Sequence, residues 1–372
     1  MEKTPTGGRR VTQADVARLA GVSQATVSHV IASMESDSSR VSDKLRTKVM
    51  EAVALTGYVV NPIAQRLAGG RSGFVGVFTY EPIFPSHGDS FYHPFLVGVE
   101  RAAETAGWNL VLFTGAAKTE GRRRMLADGV RSLSVADGCI LLGLHYDARD
   151  LEALLQERFP FVFIGARESD AGTVPYVAPD YETATRDVLD LLFSYGHERV
   201  GFVGDLDPDQ VNNVRLRAYR DVMAGQRRQP GVFIDSVVRE PSVLLQQVLD
   251  NRLTAVVTDN SGVGALLLAE AEQRGIRVPE ELSIAQLGDP EIEDNIDWTG
   301  FRIPRDEMGF EAVRLLADLI DGTADPEDLQ RMLACAVVEG STAGPLAPIE
   351  TPDAATRAIT NNEAPHTNGP TA

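Results

Sequence analysis

Residues 11–31, VTQADVARLAGVSQATVSHVI, decide the fold of the N-terminal part of the chain. Thr12 and Asp15 have the spacing of a capping box. In this motif the Thr12 side chain accepts a hydrogen bond from a backbone N–H, and the Asp15 carboxylate accepts one from the Thr12 N–H. We therefore expect a first helix that runs to about Ala20.

A second short helix is expected directly after a tight turn at Gly21 and Val22. Ser23 is a suitable N-cap for this helix, which runs to about Ala32. Two short helices around a glycine turn predict a helix-turn-helix. The apolar residues that the two helices share are Val16, Leu19, Val27 and Val30.

A third helix follows the polar loop SMESDSSR at 33–40. Ser42 is its expected N-cap and Gly57 its end, with Leu45, Val49, Val53 and Ala54 at helical spacing. Pro62 favours the first turn of another short helix, IAQRLA at 63–68, which the glycine pair at 69–70 ends.

Charge divides the chain into a small basic head and a large acidic body. Residues 1–71 carry ten basic and six acidic side chains, whereas the remaining 301 residues carry 25 basic and 47 acidic ones. A polyanion such as DNA is therefore expected to meet only the head. The two cysteines, Cys139 and Cys335, lie in apolar runs, so we expect both to be reduced core residues.

From Gly73 onward, short β-branched runs alternate with amphipathic helices, which predicts βαβ units with parallel sheets. Nine strands over some 270 residues are more than one compact sheet commonly holds, so two α/β lobes are expected. The strand candidates are FVGVFTY (74–80), WNLVLF (108–113), DGCILLG (137–143), FVFIG (161–165), VPYVA (174–178), RVGFVG (199–204), VFIDSVV (232–238), TAVVTD (254–259) and LSIAQL (282–287).

These motifs together resemble the LacI/GalR family of transcriptional regulators. The head motif is similar to the family's usual VTxxDVAxxAGVSxxTVSRVLN, and SYGHERVGFVGD, RGIRVPEELSIAQLGD and VVEGSTAG follow in the family's order. The resemblance covers about residues 11–344. It implies an α/β protein with a helix-turn-helix head, a hinge helix and a two-lobed core like a periplasmic binding protein, in which a small effector changes the operator affinity of a homodimer.

The resemblance and the sequence together give domain bounds. We expect a flexible N-terminus at 1–10, the DNA-binding head at 11–58, the hinge helix and linker at 59–72, the core at 73–344 and a disordered tail at 345–372. Within the core, lobe one takes about 73–173 and 304–330, and lobe two takes about 174–303 and 331–344.

Three residues of the second helix occupy the family's base-reading positions: Gln24, Ala25 and His29. Gln24 can pair with adenine and Ala25 can touch a thymine methyl, whereas His29 stands where the family usually has Arg and lacks its fork. The candidate phosphate contacts are Ser23, Thr26 and Ser28. Caps and solvated polar positions are the alternative for all six residues.

In the hinge, Leu67 stands where the family inserts a leucine into the minor groove, with Ala64 and Asn61 on the same short helix. A core-facing leucine is the alternative. Val60 replaces a common proline, and the 33–40 loop is longer than usual and acidic; neither change removes the hinge, but the half-site geometry does not follow from the resemblance.

The resemblance also nominates effector-binding residues, which are Phe91, Tyr92, Arg167, Arg215, Asp259, Asn260 and Asp289. Two acids that grip sugar hydroxyls in the family are absent, because Gly288 and Gly165-Ala166 stand in their places. The effector is expected to be a sugar-like or anionic metabolite, and the loss of two acids with both arginines retained favours the less sugar-like, anionic one. Core packing for Phe91, a solvated charge for Arg215 and a regulator that has lost small-molecule sensing are the alternatives.

Other classes fit the sequence poorly. Residues 261–267, SGVGALL, do not match a dinucleotide-binding loop, and neither a P-loop nor a nucleophile elbow occurs, so we expect no enzyme activity and no cofactor. The six histidines are scattered, which predicts no metal site. A sugar-transport protein would need a signal peptide. Without one and without a long apolar stretch, we expect a cytoplasmic protein that does not contact membranes.

Overall fold

The structure is a computed structural model that describes most of the head and core. The described residues are 11–32, 42–59, 71–82, 91–114, 117–119, 122–125, 130–206, 214–225, 231–236, 240–289 and 296–347. In this part of the chain no helix is long and apolar enough to cross a membrane.

The head contains the three expected helices: α1 (Gln13–Ala20), α2 (Gln24–Ala32) and α3 (Asp43–Thr56). Gly21 ends α1 in the left-handed conformation, with a φ of 60°, which favours glycine. The predicted capping box between Thr12 and Asp15 is present, and the N–H and the hydroxyl of Thr12 donate to the Asp15 carboxylate at 3.0 and 2.7 Å. The predicted helix-turn-helix is confirmed.

The small core of the head joins all three helices, but two predicted members are wrong. Leu19 is 54% exposed, because the buried face of α1 is centred near Ala20 and Leu19 lies about 100° around the helix from that centre. Ala54 is also exposed, because it lies on the side of α3 away from the buried residues Val49 and Ala52. The buried residues are Val16, Ala17, Ala20, Val27, Val30, Val49 and Ala52.

The chain divides into two compact units. The first unit comprises residues 1–83, 94–176 and 309–330, and the second comprises 84–93, 177–308 and 331–372. The helices beyond the head are α4 (His93–Ala106), α5 (Ala148–Gln156), α6 (Tyr181–Ser194), α7 (Val214–Gly225), α8 (Pro241–Asp250), α9 (Ser261–Gln273) and α10 (Arg305–Asp321). The helix α10 therefore begins in the second unit and continues into the first.

The described residues form fourteen strands. They are β1 (Phe74–Thr79), β2 (Asn109–Phe113), β3 (Ala117–Thr119), β4 (Arg122–Arg124), β5 (Gly138–Leu142), β6 (Phe161–Ile164), β7 (Tyr176–Pro179), β8 (Val200–Gly204), β9 (Val232–Asp235), β10 (Ala255–Thr258), β11 (Ser283–Gln286), β12 (Thr299–Arg302), β13 (Gln330–Leu333) and β14 (Ala336–Val338). All nine predicted strands are present. The sequence missed β3, β4, β12, β13 and β14, which are three or four residues long.

Two six-stranded sheets organise these strands, with the orders β13-β7-β6-β5-β1-β2 and β14-β12-β11-β10-β8-β9. The pairs β1–β2, β1–β5 and β5–β6 are parallel in the first sheet, and so are β8–β9, β8–β10, β10–β11 and β11–β12 in the second. The pair β12–β14 is antiparallel. The predicted architecture of two lobes with parallel sheets is confirmed.

Parallel pairing places the carboxyl ends of neighbouring strands at one edge of each sheet. In the first unit, residues 80, 143 and 165–167 follow β1, β5 and β6 at such an edge. In the second unit, residues 205, 259–260 and 287–289 follow β8, β10 and β11. Both edges carry residues that the sequence nominated as effector contacts.

Candidate functional site

The helix α2 has one buried face and one exposed, mostly polar face. Val27 and Val30 are fully buried, whereas Gln24, Ala25 and His29 are exposed. The three side chains nominated to read bases therefore point away from the core of the head. This arrangement leaves an amide, a methyl group and an imidazole available on one short helix.

The start of α2 is held by its own hydroxyl groups. The Ser23 hydroxyl accepts from the Thr26 N–H at 3.1 Å, and the Ser23 and Thr26 hydroxyls are 2.7 Å apart. Both residues therefore have the capping role that was the alternative to phosphate binding, although a hydroxyl can accept and donate at once. Ser28 is half-buried. Asn61, Ala64 and Leu67, nominated for the minor groove, lie outside the described residues.

Arg167, after β6, is enclosed by the first unit and only 7% exposed. Its guanidinium donates to the carbonyls of Ala166 at 2.7 Å and Gly143 at 2.6 Å. It also lies over the rings of Phe163 and Tyr146, with Cζ at 4.3 and 4.9 Å from the ring centroids. These contacts give Arg167 a structural role in shaping the carboxyl edge of the first sheet.

Arg215, near the start of α7, is half-buried in the second unit. Its Nη1 donates to the carbonyls of Leu287 at 2.6 Å and Asp259 at 3.2 Å, and its Cζ lies 4.8 Å from the Tyr181 ring centroid. Its Nε is buried without a hydrogen-bond partner among the described residues. Gly288 fits beside it because a Cβ at that position would stand 3.3 Å from Nη1.

Asp259 and Asn260, which follow β10, serve different local purposes. The Asp259 carboxylate accepts from the Asp205 N–H at 3.3 Å, and burial raises the pKa of Asp259 above its usual range. Asn260 is the N-cap of α9, where its Oδ1 accepts from the N–H groups of Gly262 and Val263. The capping bonds occupy the side-chain oxygen of a residue that the sequence nominated for the effector.

Asp289 has one hydrogen-bond donor and one ion-pair partner in its own unit. Its Oδ1 accepts from the Ile303 N–H at 2.7 Å, and its Oδ2 lies 3.1 Å from Arg305 Nε. Burial raises the pKa of Asp289. The Arg305 guanidinium in turn lies 4.2 Å from the centroid of the Phe91 ring, which is 44% exposed, while the adjacent Tyr92 is buried.

Sequence reasoning missed Tyr181, Arg305 and the position of Cys335. Tyr181 begins α6 and Arg305 begins α10, so each faces the carboxyl edge from a helix start that carried no motif of its own. Cys335 is half-buried rather than fully in the core, and burial followed by the nearby Asp289 and Asp180 charges raises its pKa to about 12. Among the described residues, no group of three or more metal-ligating side chains gathers.

Comparison with known proteins places both parts of the chain. Residues 12–61 match the family described as bacterial regulatory proteins, lacI family, and residues 189–343 match the periplasmic binding protein-like domain. The transcriptional repressor CytR of Escherichia coli is 29% identical over 351 residues, which cover 89% of this chain and 96% of CytR.

Solved structures share the fold. A transcriptional regulator CelR–cellobiose complex aligns with a TM-score of 0.59 and 25% identity, covering 90% of this chain and all of that one. A lac repressor dimer bound to operator and the anti-inducer ONPF aligns at 0.63 and 22%, with the same coverage.

The transcriptional regulator CelR of Thermobifida fusca is 31% identical over 334 residues, which cover 86% of this chain and 94% of CelR. These relatives are regulators and not enzymes. The exposed polar face of α2, the two α/β units and this similarity over nearly the whole chain lead to one conclusion: the chain belongs to the LacI family of DNA-binding transcriptional regulators.

Proposed function

We propose that the protein is a homodimeric repressor that binds a near-palindromic operator, and that a small molecule controls its affinity. The observation that carries the proposal is the exposure of Gln24, Ala25 and His29 on the second helix of a helix-turn-helix. The name of the repressor CytR and the dimer in the lac repressor structure support the choice of repressor and dimer.

Base readout in this proposal comes from three different chemistries. The Gln24 amide pairs with the N6 and N7 atoms of adenine, Ala25 touches a thymine methyl, and His29 forms one hydrogen bond to a guanine. Ser23, Thr26 and Ser28 contact phosphates. Leu67, with Ala64 and Asn61 beside it, enters the minor groove from paired hinge helices and kinks the operator.

The effector part of the proposal rests on Arg215. Arg215 is half-buried and its Nη1 donates to the Leu287 and Asp259 carbonyls, so a ligand bound at that edge would accept a hydrogen bond from the same guanidinium. Tyr181 offers an aromatic surface beside it, and Asp259 lies within reach of the same edge. A sugar-like or anionic metabolite fits these groups, and the cellobiose in the CelR structure favours the sugar.

A second candidate is a regulator that binds DNA but senses no small molecule. The favouring observation is that the fold itself uses several nominated effector groups. Arg167 donates to two carbonyls, Asp289 accepts from the Ile303 N–H and pairs with Arg305, and Asn260 caps α9. In this case the operator affinity does not respond to any metabolite.

Selection of fragmented genomic DNA by the full-length protein at near-physiological salt tests both candidates, because non-specific binding dominates at low salt. We expect one near-palindrome with half-sites about one helical turn apart. A Gln24→Ala/His29→Ala variant is the matched control, since both side chains are exposed. It should fold normally and lose the enrichment.

The outcome decides between the candidates. If the variant enriches the same sequence, the reading face is assigned wrongly. If the wild-type protein enriches nothing with or without a cell-metabolite extract, the repressor proposal fails. If the extract changes the affinity for the enriched fragment, sensing is retained; an unchanged affinity favours the second candidate.

A further inference from the structure

The loop after β11 is tied to the start of α10. The Asp289 carboxylate accepts from the Ile303 N–H at 2.7 Å and pairs with Arg305 Nε at 3.1 Å, and both charged side chains are only 16% exposed. An ion pair this far out of water is less screened than a surface pair, and breaking it leaves a poorly solvated charge. Both oxygens of the carboxylate are therefore committed to one stretch of chain.

Arg305 extends this connection to a second helix. Its guanidinium lies over the ring of Phe91 at 4.2 Å, and Phe91 stands two residues before the start of α4. A cation over an aromatic face that is partly shielded from water is a favourable contact. We call the set Asp289, Ile303, Arg305 and Phe91 the Asp289 clamp.

The helices α4 and α10 are packed closely just beyond the clamp. A Cβ on Gly309 of α10 would stand 2.1 Å from the Phe95 carbonyl oxygen of α4, so the two backbones are in contact there. Arg101 of α4 also lies over the Phe310 ring, at 5.0 Å. Because tightly packed helices transmit displacements to each other, a shift at the N-terminal end of either α4 or α10 also displaces the other helix.

The clamp also lies at the places where the chain leaves the second unit. Residue 93 is followed by the first unit at 94, and residue 308 is followed by it at 309. On the other side, Leu287 is two residues before Asp289, and its carbonyl accepts from Arg215 at 2.6 Å. The loop 287–289 is thus held by one arginine of the candidate effector site and by one arginine of the clamp.

We propose that the Asp289 clamp is a latch that couples the candidate effector site to the starts of α4 and α10, and that opening it weakens operator binding. Asp289 is then a positioning residue and not an effector contact. A ligand that takes hydrogen bonds from Arg215 loosens Leu287, and the shift reaches Asp289 through two peptide units. The effect on DNA rests on the proposed function; the coupling itself does not.

Hydrogen exchange followed by mass spectrometry on the full-length protein tests the coupling without DNA or ligand. The variants are Asp289→Asn, which keeps an acceptor for the Ile303 N–H, Arg305→Gln, and the two combined. Glu281→Gln is the control, because the Arg277–Glu281 pair lies in the same unit at a similar 3.0 Å but is exposed.

We expect each single change to speed exchange in the second turns of both α10 and α4 by about threefold or more, since these N–H groups are the first with intrahelical acceptors and local opening follows lost contacts. The double variant should add nothing beyond the larger single effect, and the control should change neither segment. Faster exchange at α10 alone, or additive effects, overturns the latch. Circular dichroism checks that each variant is folded.

Operator affinity is the second readout, measured on the fragment enriched by the genomic selection. Asp289→Asn should bind it about fivefold more weakly, within the usual range of coupling between sites, and Glu281→Gln should bind as the wild type does. Unchanged or tighter binding overturns the DNA part of the proposal. If the wild-type protein enriches no fragment, the repressor proposal fails while the exchange experiment still decides the latch.

Discussion

Arg167 in the first unit and Arg215 in the second both contact backbone carbonyls and aromatic rings, but they differ in the number of rings and in burial. Each donates to two backbone carbonyls, but Arg167 lies against two aromatic rings and is almost fully buried, whereas Arg215 lies against one and is half-buried. Two arginines that the sequence nominated for one role therefore differ in what they leave for a ligand.

The difference shows how a binding group is distinguished from a structural one. A guanidinium between two rings is desolvated by the fold itself, so its contacts mainly stabilise the folded state. Arg215 is only half-buried, so part of its side chain stays accessible to a ligand. Burial, and not residue type, separates the two roles, and this difference in burial orders the expected effects of substitution.

Arg167→Ala should have the largest effect on stability. It removes the donor to the Gly143 and Ala166 carbonyls and opens a cavity between Phe163 and Tyr146. We expect a loss of about 2–5 kcal/mol in urea unfolding of the full chain. Arg149→Ala, an exposed surface pair of the same unit, is the control and should cost at most about 0.5 kcal/mol. Equal effects of the two changes would contradict the structural role of Arg167.

Substitution of His197 tests whether burial also determines the loss of stability in the second unit. It is fully buried, with Nδ1 at 3.0 Å from the Thr254 hydroxyl and Nε2 at 3.0 Å from the Gly344 carbonyl. His197→Ala should cost about 1–3 kcal/mol, because both partners lose a hydrogen bond in a dry environment. A cost near zero would mean that the carbonyl of Gly344 finds another donor, such as the Ser283 hydroxyl at 3.4 Å.

The pH dependence of stability gives the same residue a second test. Burial lowers the pKa of His197 below its usual value, so the folded state favours the neutral ring. The stabilisation is complete above the unfolded-state pKa of about 6.5 and is lost as the pH falls through the folded-state pKa. The melting temperature should fall more steeply between pH 7.5 and 5.5 in the wild type than in His197→Ala. Parallel curves would show that His197 does not titrate differently on folding.

Arg215→Ala should cost less stability than either change, about 1–2 kcal/mol, because water can reach part of the site. Its larger effect should be on ligand binding. In calorimetry, any metabolite that changes the operator affinity of the wild type should lose at least about tenfold in affinity. Arg217→Ala, an exposed position two residues further along α7, is the control. A metabolite that binds Arg215→Ala and the wild type equally would assign the site elsewhere.

The sequence was sufficient for the architecture because the decisive signals are local. Gly21 can adopt a positive φ, Ser23 can cap α2, and eight of the nine predicted strands pair in parallel with a neighbour. The missed strands, such as β12 (TGFR), are short and carry no alternation, so pairing with neighbours and not their own composition makes them strands.

The candidate site was less accessible to sequence reasoning because its contacts are long-range. Nothing in the sequence shows that Asp289 would meet Arg305 rather than a ligand, or that Asn260 would be used as a cap. Leu19 shows the same limit in the head, where an apolar residue at helical spacing is half-exposed because the buried arc is narrow. Family position nominates residues, whereas their partners in space determine what they are free to do.

His29 is exposed, in contrast to the buried residues above, so His29→Arg should change the free energy of unfolding by no more than about 0.5 kcal/mol. Its effect should appear in the selected DNA, because a guanidinium fork reads guanine O6 and N7 together and gains about 1–3 kcal/mol of discrimination. The enriched half-site should acquire one strongly preferred guanine. Thr47→Arg, exposed on α3, adds the same charge away from the reading face and should strengthen binding without a new base preference. If both variants select the same unchanged sequence, His29 does not face a base, and α2 enters the groove at a different angle from the one proposed.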